Sequence, residues 1–279
     1  MIIDFHIHLF PTKVRQNREQ FCAQDPGFAS IYASRKAKMA SVTDIIQYLD
    51  DSCIDKGVVF GFPWRNPDLI ERNNEEVWEF AERHADRIVP FAVLSCMDME
   101  GACKEAERTL SNGFAGLGEL AFYDIGWNTS LVQGLQPVLE LAAELEKPVL
   151  LHVNEPVGHQ YPGKIAVDFS ALVKMVEENS NVTFVLAHFG GGLFLYGLMP
   201  EIKEVFARTY FDTAASPYLY EPKVFKVACE VMGEEKILFG SDYPLLALPR
   251  YLKDLEKADI TPSARASILG GNAQRLLNL

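Results

Sequence analysis

The chain has 279 residues, 48% of them hydrophobic, enough to bury one large core in a single domain spanning residues 1–279. Its formal net charge of -12 argues against a nucleic-acid surface or a strongly anionic partner, while leaving room for a local basic pocket that holds a carboxylate. No apolar stretch approaches the roughly 20 residues of a membrane span, and no basic region leads into an apolar run at the N-terminus, so neither a membrane anchor nor a signal peptide is expected.

In chain order, the first element is a strand over 1–7, which carries Asp4-Phe5-His6-Ile7-His8. The stretch 10–40 is too long for an ordinary loop and reads as an irregular cap over one end of the fold. Ser41 and Asp44 then make a capping box for a helix carrying Ile45, Ile46 and Leu49. A strand over 57–62 follows, and Asn73 or Asn74 is placed to cap a helix with Val77, Phe80 and Ala81 facing inward. After a strand over 87–94, Asp98 opens and Gly113 closes a helix whose inner face is Ala102, Ala106 and Leu110. Strands over 113–120, 147–152, 183–188, 209–213 and 236–242 complete a set of eight. Between them lie helical patterns at Leu135, Val138, Leu139 and Ala142 and at Leu172, Val173 and Val176, while Thr261-Pro262 starts a last helix. The later apolar runs are continuous rather than alternating, as in parallel strands buried on both faces. Eight strand-then-helix units predict an α/β fold, a (β/α)₈ TIM barrel. An open doubly wound sheet is the competing architecture, but no Gly-x-Gly-x-x-Gly follows the first strand.

The chemistry gathers at strand ends. His6 and His8 are two apart, so a strand projects both imidazoles to one side. Three further runs end in His152, His188 and Asp242, each followed by turn-forming residues. Independent core strands have no reason to end repeatedly in His or Asp, whereas ligands at the carboxyl ends of barrel strands do. The structural alternatives are a satisfied core histidine for His152 and a helix N-cap for Asp242. On the substrate side, Trp64 and Arg65 follow the second strand near the barrel mouth, where Arg65 suits a carboxylate. His159 and Tyr161 lie in the loop after His152 and are the other pocket candidates, with a loop-stabilising hydrogen bond as the alternative. His84 reads as structural, since its charge suits a helix C-terminus. Five cysteines (Cys22, Cys53, Cys96, Cys103 and Cys229), odd in number and without Cys-x-x-Cys spacing, read as reduced, mostly buried thiols of a cytoplasmic protein.

The ordered set His6-x-His8, His152, His188 and Ser241-Asp242-Tyr243-Pro244 resembles the amidohydrolase superfamily. Ala187-His188-Phe189-Gly190-Gly191 and the terminal Gly271-Asn272-Ala273-Gln274-Arg275-Leu276-Leu277 are similar to its amidohydrolase 2 branch of metal-dependent TIM-barrel hydrolases and decarboxylases. The resemblance implies that His6, His8, His152 and Asp242 bind a divalent metal, with Asp242 also taking the proton from the attacking water. Glu119 stands where some members carry a bridging carboxylate, which would allow a second ion shared with His152 and His188. Otherwise Glu119 supports a ligand histidine, and His188 is a free acid/base or carbonyl-polarising group. Imidazoles with a carboxylate suit Zn²⁺ or a similar ion with one position open for water, whose pKa falls toward 7.

Hydrolysis of an amide, ester or lactone of a small carboxylate-bearing substrate is the main expectation. Non-oxidative decarboxylation of an aromatic or unsaturated acid is the alternative, and a non-catalytic metal-binding barrel the third. Two residues tilt the choice toward hydrolysis. Some decarboxylases of the branch carry a Glu just before the first-strand histidines, where Asp4 stands here, and Glu119 offers a bridging carboxylate. The expected partner is a small molecule rather than nucleic acid or membrane, with a homodimer left open.

Overall fold

The computed structural model describes residues 1–95, 97–123 and 125–279. Its strands are β1 (Ile3–His8), β2 (Lys56–Phe60), β3 (Ile88–Ala92), β4 (Gly116–Leu120), β5 (Val149–Leu151), β6 (Phe184–Leu186), β7 (Thr209–Asp212) and β8 (Ile237–Leu238). They pair in parallel in sequence order. Phe5 N donates to Phe239 O at 2.8 Å and His8 N to Tyr243 O at 2.8 Å, which brings the chain after β8 against β1 and closes the barrel. The expected (β/α)₈ architecture is therefore present.

Two apolar layers explain why the strands read as unbroken hydrophobic runs. Phe5, Val58, Phe60, Val89, Phe91, Leu150, Val185 and Leu238 fill the barrel interior. Ile7, Leu49, Val59, Phe80, Leu117, Val149 and Leu186 form the layer between strands and helices. Each strand is thus desolvated on both sides, which polar alternation would not tolerate.

The helix Val42–Asp51 begins with the expected capping box, in which the Ser41 side chain accepts from Asp44 N and Asp44 reaches back to Ser41 N. Asp98 and Thr261 likewise cap their helices. One start is corrected. The helix carrying Val77 and Phe80 runs Pro67–Arg83 and is capped by Asn66, with Pro67 in its first turn. Asn73 and Asn74 lie inside it because their amides bond strand ends instead of a helix terminus. Asn73 Oδ1 accepts from Phe62 N and Trp64 Nε1, both at 3.1 Å. Asn74 exchanges two hydrogen bonds with the backbone of Val93.

The stretch 10–40 is not irregular. It folds into three short helices, Thr12–Gln16, Arg18–Gln24 and Pro26–Tyr32. The last is capped by Asp25, whose other carboxylate oxygen accepts from Arg65 N at 2.9 Å. Phe28 packs between Tyr32, Phe62 and Trp64, with ring centroids at 4.8, 5.3 and 4.7 Å, so the segment lies over the C-terminal mouth as expected. The cysteines correct another expectation. Cys53 is exposed and Cys22, Cys103 and Cys229 only part-buried, while Cys96 lies outside the described residues. No described helix is long and apolar enough to cross a membrane.

Candidate metal centre

β1 does not keep one alternation throughout. Its pairing with β2 shifts register between Asp4 and Ile7. Asp4 faces the helix layer, accepting from Tyr48 Oη at 2.8 Å, whereas His6 points into the barrel against Phe60 at 5.0 Å. From His6 onward the period of two holds, and His8 joins it on the inner side, 4.9 Å from Phe60.

At the end of β1, His6 Nε2 and His8 Nε2 lie 3.3 Å apart. Asp242 Oδ1 is 3.2 Å from His8 Nε2 and 3.7 Å from His6 Nε2. Glu119 Oε2 is 3.7 Å from His6 Nε2 and 3.8 Å from His8 Nε2. Donors about 2.1 Å from a tetrahedral ion stand about 3.4 Å from one another, so the two imidazole nitrogens have the spacing of a ligand shell with Asp242 Oδ1 and, likewise, with Glu119 Oε2. The tautomer agrees. His6 Nδ1 donates to Asp212 Oδ2 at 2.8 Å, leaving a lone pair on Nε2 when the ring is neutral. His8 has no such anchor, since its Nδ1 is buried without a partner and its ring is held by packing on Phe60 and Phe10.

Glu119 is shared with a second group. Its Oε1 is 2.9 Å from His152 Nδ1 and 3.6 Å from His188 Nε2, and those two nitrogens are 3.2 Å apart. Both rings are oriented by carbonyls, which can only accept. His152 Nε2 donates to Gly163 O at 3.1 Å and His188 Nδ1 to Ala214 O at 2.9 Å. The neutral tautomers thus aim two lone pairs and a carboxylate oxygen at one another, an arrangement that calls for a cation or a proton. Either trio, His6-His8-Glu119 or Glu119-His152-His188, could hold a metal ion. The structure therefore places His152 beside Glu119 and His188, with Glu119 between the two groups.

The electrostatics follow. Burial alone would lower His6, but Glu119 and Asp212 outweigh it and hold its pKa well above the usual imidazole value. His188 is raised to about 9, with burial opposing and Glu119 prevailing. Burial would raise Glu119, yet His152 and His6 keep it well below the carboxylate range. Asp242 is lowered to about 2 against its burial by His8, His6 and His188.

The positions of Asp242 and His188 have local causes. Ser241 N donates to Asp4 Oδ1 at 2.9 Å, and Ser241 O accepts from Tyr251 Oη at 2.8 Å, which fixes the segment carrying Asp242. Burial is the largest influence on Asp4, raising it to about 6. Gly240 is required here by proximity, because a Cβ would lie 2.8 Å from His6 Cβ. No helix starts at Asp242, the next one being Leu248–Lys257 with Ala247 at its N-cap, so the capping alternative is excluded. Beyond β6, His188 and Phe189 adopt left-handed backbone with Gly190, Gly191 and Gly192. A Cβ on Gly191 would meet Asn154 O at 2.3 Å, so glycine lets this turn sit against the end of β5.

The substrate candidates are placed differently. Trp64 is only 1% exposed and packs within the cap cluster, its indole N–H donating to Asn73. Arg65 lines a cleft of about 340 Å³ with Gln24, Asp25, Asn66, Leu69 and Met97, apart from the histidine groups. His159 is exposed. Tyr161 Oη donates to Glu155 Oε2 at 2.9 Å, the loop-stabilising role. In the same loop Lys164, its side chain only 4% exposed, pairs with Glu155 at 3.1 Å and donates to Val157 O and His159 O. Asp212 is a candidate site residue that sequence reasoning missed. Besides His6 it accepts from His188 N at 3.0 Å and Ala214 N at 2.9 Å. The signal was there, since the 209–213 run also ends beside a titratable residue.

A family model described as amidohydrolase matches residues 3–279. The 2-amino-3-carboxymuconate-6-semialdehyde decarboxylase of Dictyostelium discoideum is 23% identical over 338 aligned residues, covering 99% of this chain and 91% of that protein. The 5-carboxyvanillate decarboxylase of Sphingomonas paucimobilis superposes with a TM-score of 0.77 at 15% identity, covering 100% of this chain and 99% of that one. A dihydroxybenzoic acid decarboxylase of a Polaromonas species, solved with bound manganese and an inhibitor, gives a TM-score of 0.73 at 18% identity, covering 100% and 97%. These superpositions bear on the fold, and the family match runs nearly end to end. With histidines and carboxylates gathered at the C-terminal mouth of a (β/α)₈ barrel, the chain belongs to the amidohydrolase 2 branch of the amidohydrolase superfamily.

Proposed function

We propose that this protein is a metal-dependent, non-oxidative decarboxylase of an aromatic or unsaturated acid. In this reading His6, His8 and Asp242 hold one divalent ion, Glu119 and His152 complete its surroundings, and His188 moves the proton. The observation that carries it is the near whole-length likeness to a curated decarboxylase. The geometry supports it through enclosure. His6 is fully buried, Glu119 is 1% and His188 5% exposed, beneath a cap of aromatic side chains. A decarboxylase must protonate the carbon that loses CO₂ and gains from excluding water, whereas a hydrolase must admit water.

The residues present fit the ion, because His6 Nε2 and His8 Nε2 stand 3.2–3.8 Å from each other and from a carboxylate oxygen of Asp242 and of Glu119, acceptors that repel one another without a cation. A divalent ion there would supply positive charge to draw in an acidic substrate and stabilise the electron pair left when CO₂ departs. Asp212 would hold His6 in its ligating tautomer through Nδ1. The C–C bond to the carboxylate breaks, CO₂ leaves, and the electron pair takes the proton from His188 Nε2, so a C–H bond forms. Ala214 O, accepting from Nδ1, keeps that nitrogen aimed inward. Two carboxylates with imidazoles suit manganese as well as the zinc expected from the sequence, and elemental analysis of the purified protein decides between them.

Hydrolysis remains the second reading because Glu119 touches both histidine groups and has the position of a carboxylate shared by two ions. The separating assay measures CO₂ against released acid or amine, over aromatic and unsaturated acids and over amides, esters and lactones. CO₂ release from an acid, lost in His188→Ala, supports decarboxylation. Acid or amine release without CO₂ turns the assignment to hydrolysis.

A further inference from the structure

Two phenols near the candidate metal centre have hydroxyls without a hydrogen-bond partner among the described residues. Tyr32 ends the cap helix Pro26–Tyr32, and Tyr123 lies three residues beyond β4. Both pack on Phe62, Tyr32 edge-on at 5.9 Å and Tyr123 stacked at 5.5 Å with planes 9° apart. Tyr32 also stacks on Phe28 at 4.8 Å, while Tyr123 is 5.5 Å from the His152 ring. The aromatic faces are therefore fixed by packing, and the hydroxyls are the groups left to be satisfied. Neither hydroxyl has a hydrogen bond to another described residue, and Tyr32 is buried while Tyr123 is part-buried.

Their surroundings say what they would take. Burial first, then the charges of Asp242 and Glu119, push the pKa of Tyr32 well above the phenol range; for Tyr123 burial, Glu119 and Tyr32 do the same. An ordinary phenol is already protonated at neutral pH, so both are neutral O–H donors beside the candidate metal centre, Tyr123 against the His152 ring. A donor that stays protonated next to carboxylates is suited to an incoming oxygen acceptor. Two donors from separate elements suit the two oxygens of one carboxylate.

We propose that the Tyr32 and Tyr123 hydroxyls form a two-donor subsite for a second carboxylate of a planar acid whose first acidic group lies at the metal centre. This rests on the acid-binding part of the proposed function, not on loss of CO₂. Substrates would accordingly be planar dicarboxylates, and simple monoacids would bind more weakly.

The test uses the metal-loaded protein and measures binding by tryptophan fluorescence or calorimetry, independently of turnover. The probes are phthalate and isophthalate, which offer a second carboxylate at two spacings, and benzoate, which lacks it. Wild type should bind at least one dicarboxylate more tightly than benzoate. Tyr32→Phe and Tyr123→Phe, which keep the rings, should each weaken that dicarboxylate about ten-fold and change benzoate less than two-fold. Equal losses for both probe types, no loss in either variant, or no preference in wild type would each overturn the proposal. Dicarboxylate binding that depends on both hydroxyls, in a protein that releases no CO₂, would refute decarboxylation while sustaining the subsite.

Discussion

Asp212→Asn is the sharpest perturbation of this centre, because it changes one atom and inverts the demand placed on His6. In the native chain Asp212 Oδ1 accepts from His188 N and Ala214 N, while Oδ2 accepts from His6 Nδ1. An Asn must keep its oxygen toward the two backbone donors, or leave buried N–H groups unpaired. Its NH₂ then faces His6 Nδ1, which has to become the acceptor. The neutral ring consequently carries its proton on Nε2, the atom 3.3–3.7 Å from the other candidate ligands. Loss of such a ligand-orienting partner costs about 10- to 100-fold in metal affinity, and an inverted tautomer belongs at the upper end, about 2.7 kcal/mol. Equilibrium dialysis of the metal-free variant against zinc or manganese reads this directly, with circular dichroism as the check on folding. A folded Asp212→Asn protein with native affinity, within a factor of two, would show that Asp212 does not set the His6 tautomer.

If His188 moves the proton, His188→Ala should keep its metal while turnover falls by about 10² to 10⁴, whereas metal stoichiometry dropping from two to one in both His188→Ala and Glu119→Gln would reveal a second ion. In the metal-free chain the pKa of His6, a proposed ligand, is held well above 6.5, so an arriving ion must displace its proton. Metal affinity should then rise with pH above about 6.5, with proton release visible by calorimetry in buffers of different ionisation enthalpy, and a flat profile would contradict it. By their raised values His6 and His188 stabilise the metal-free fold fully below pH 6.5, so its Tm should fall as pH climbs toward 9. Phe28→Ala, at a fully buried position of the cap itself, should cost about 3–5 kcal/mol in chemical denaturation, and a loss under 1 kcal/mol would mean that the cap packs loosely.

The barrel was legible because its strands are dry on both faces. Runs such as Val149–Leu151 and Phe184–Leu186 hold no polar residue that would suggest a surface sheet. Their ends were less legible. The run over 236–242 contributes only Ile237–Leu238 to β8, because the residues beyond turn to bond with β1 and Asp4. Asn73 and Asn74 misled for a related reason: asparagine is a common cap, and only the tertiary position of Phe62, Trp64 and Val93 shows what else those amides bond. The cap helices, five to seven residues each, are too short to display a period, although Asp25-Pro26 is a start signal.

The candidate ligands could be named residue by residue, but their grouping in space could not. Spacing in sequence cannot report that Glu119 lies between His6 and His152, nor that Asp212 reaches across the barrel. The comparisons back the decarboxylation alternative better than the main expectation of hydrolysis, and the residues behind that expectation show why. The expectation of hydrolysis leans on Asp4 and Glu119. Asp4, however, turns away from the metal centre at the register shift in β1 and bonds Tyr48 and Ser241 N. Its carboxylate organises the segment bearing Asp242, so its being Asp rather than Glu carries no information about what happens at the metal. Glu119 is compatible with either reaction, since one carboxylate can steady a protonated His188 or bridge two ions. With both residues neutralised as arguments, enclosure is the feature on which hydrolysis and decarboxylation make opposite demands. Here the histidines lie beneath the aromatic cap, and Asp242, with 16% of its side chain exposed, marks the more open edge of the group.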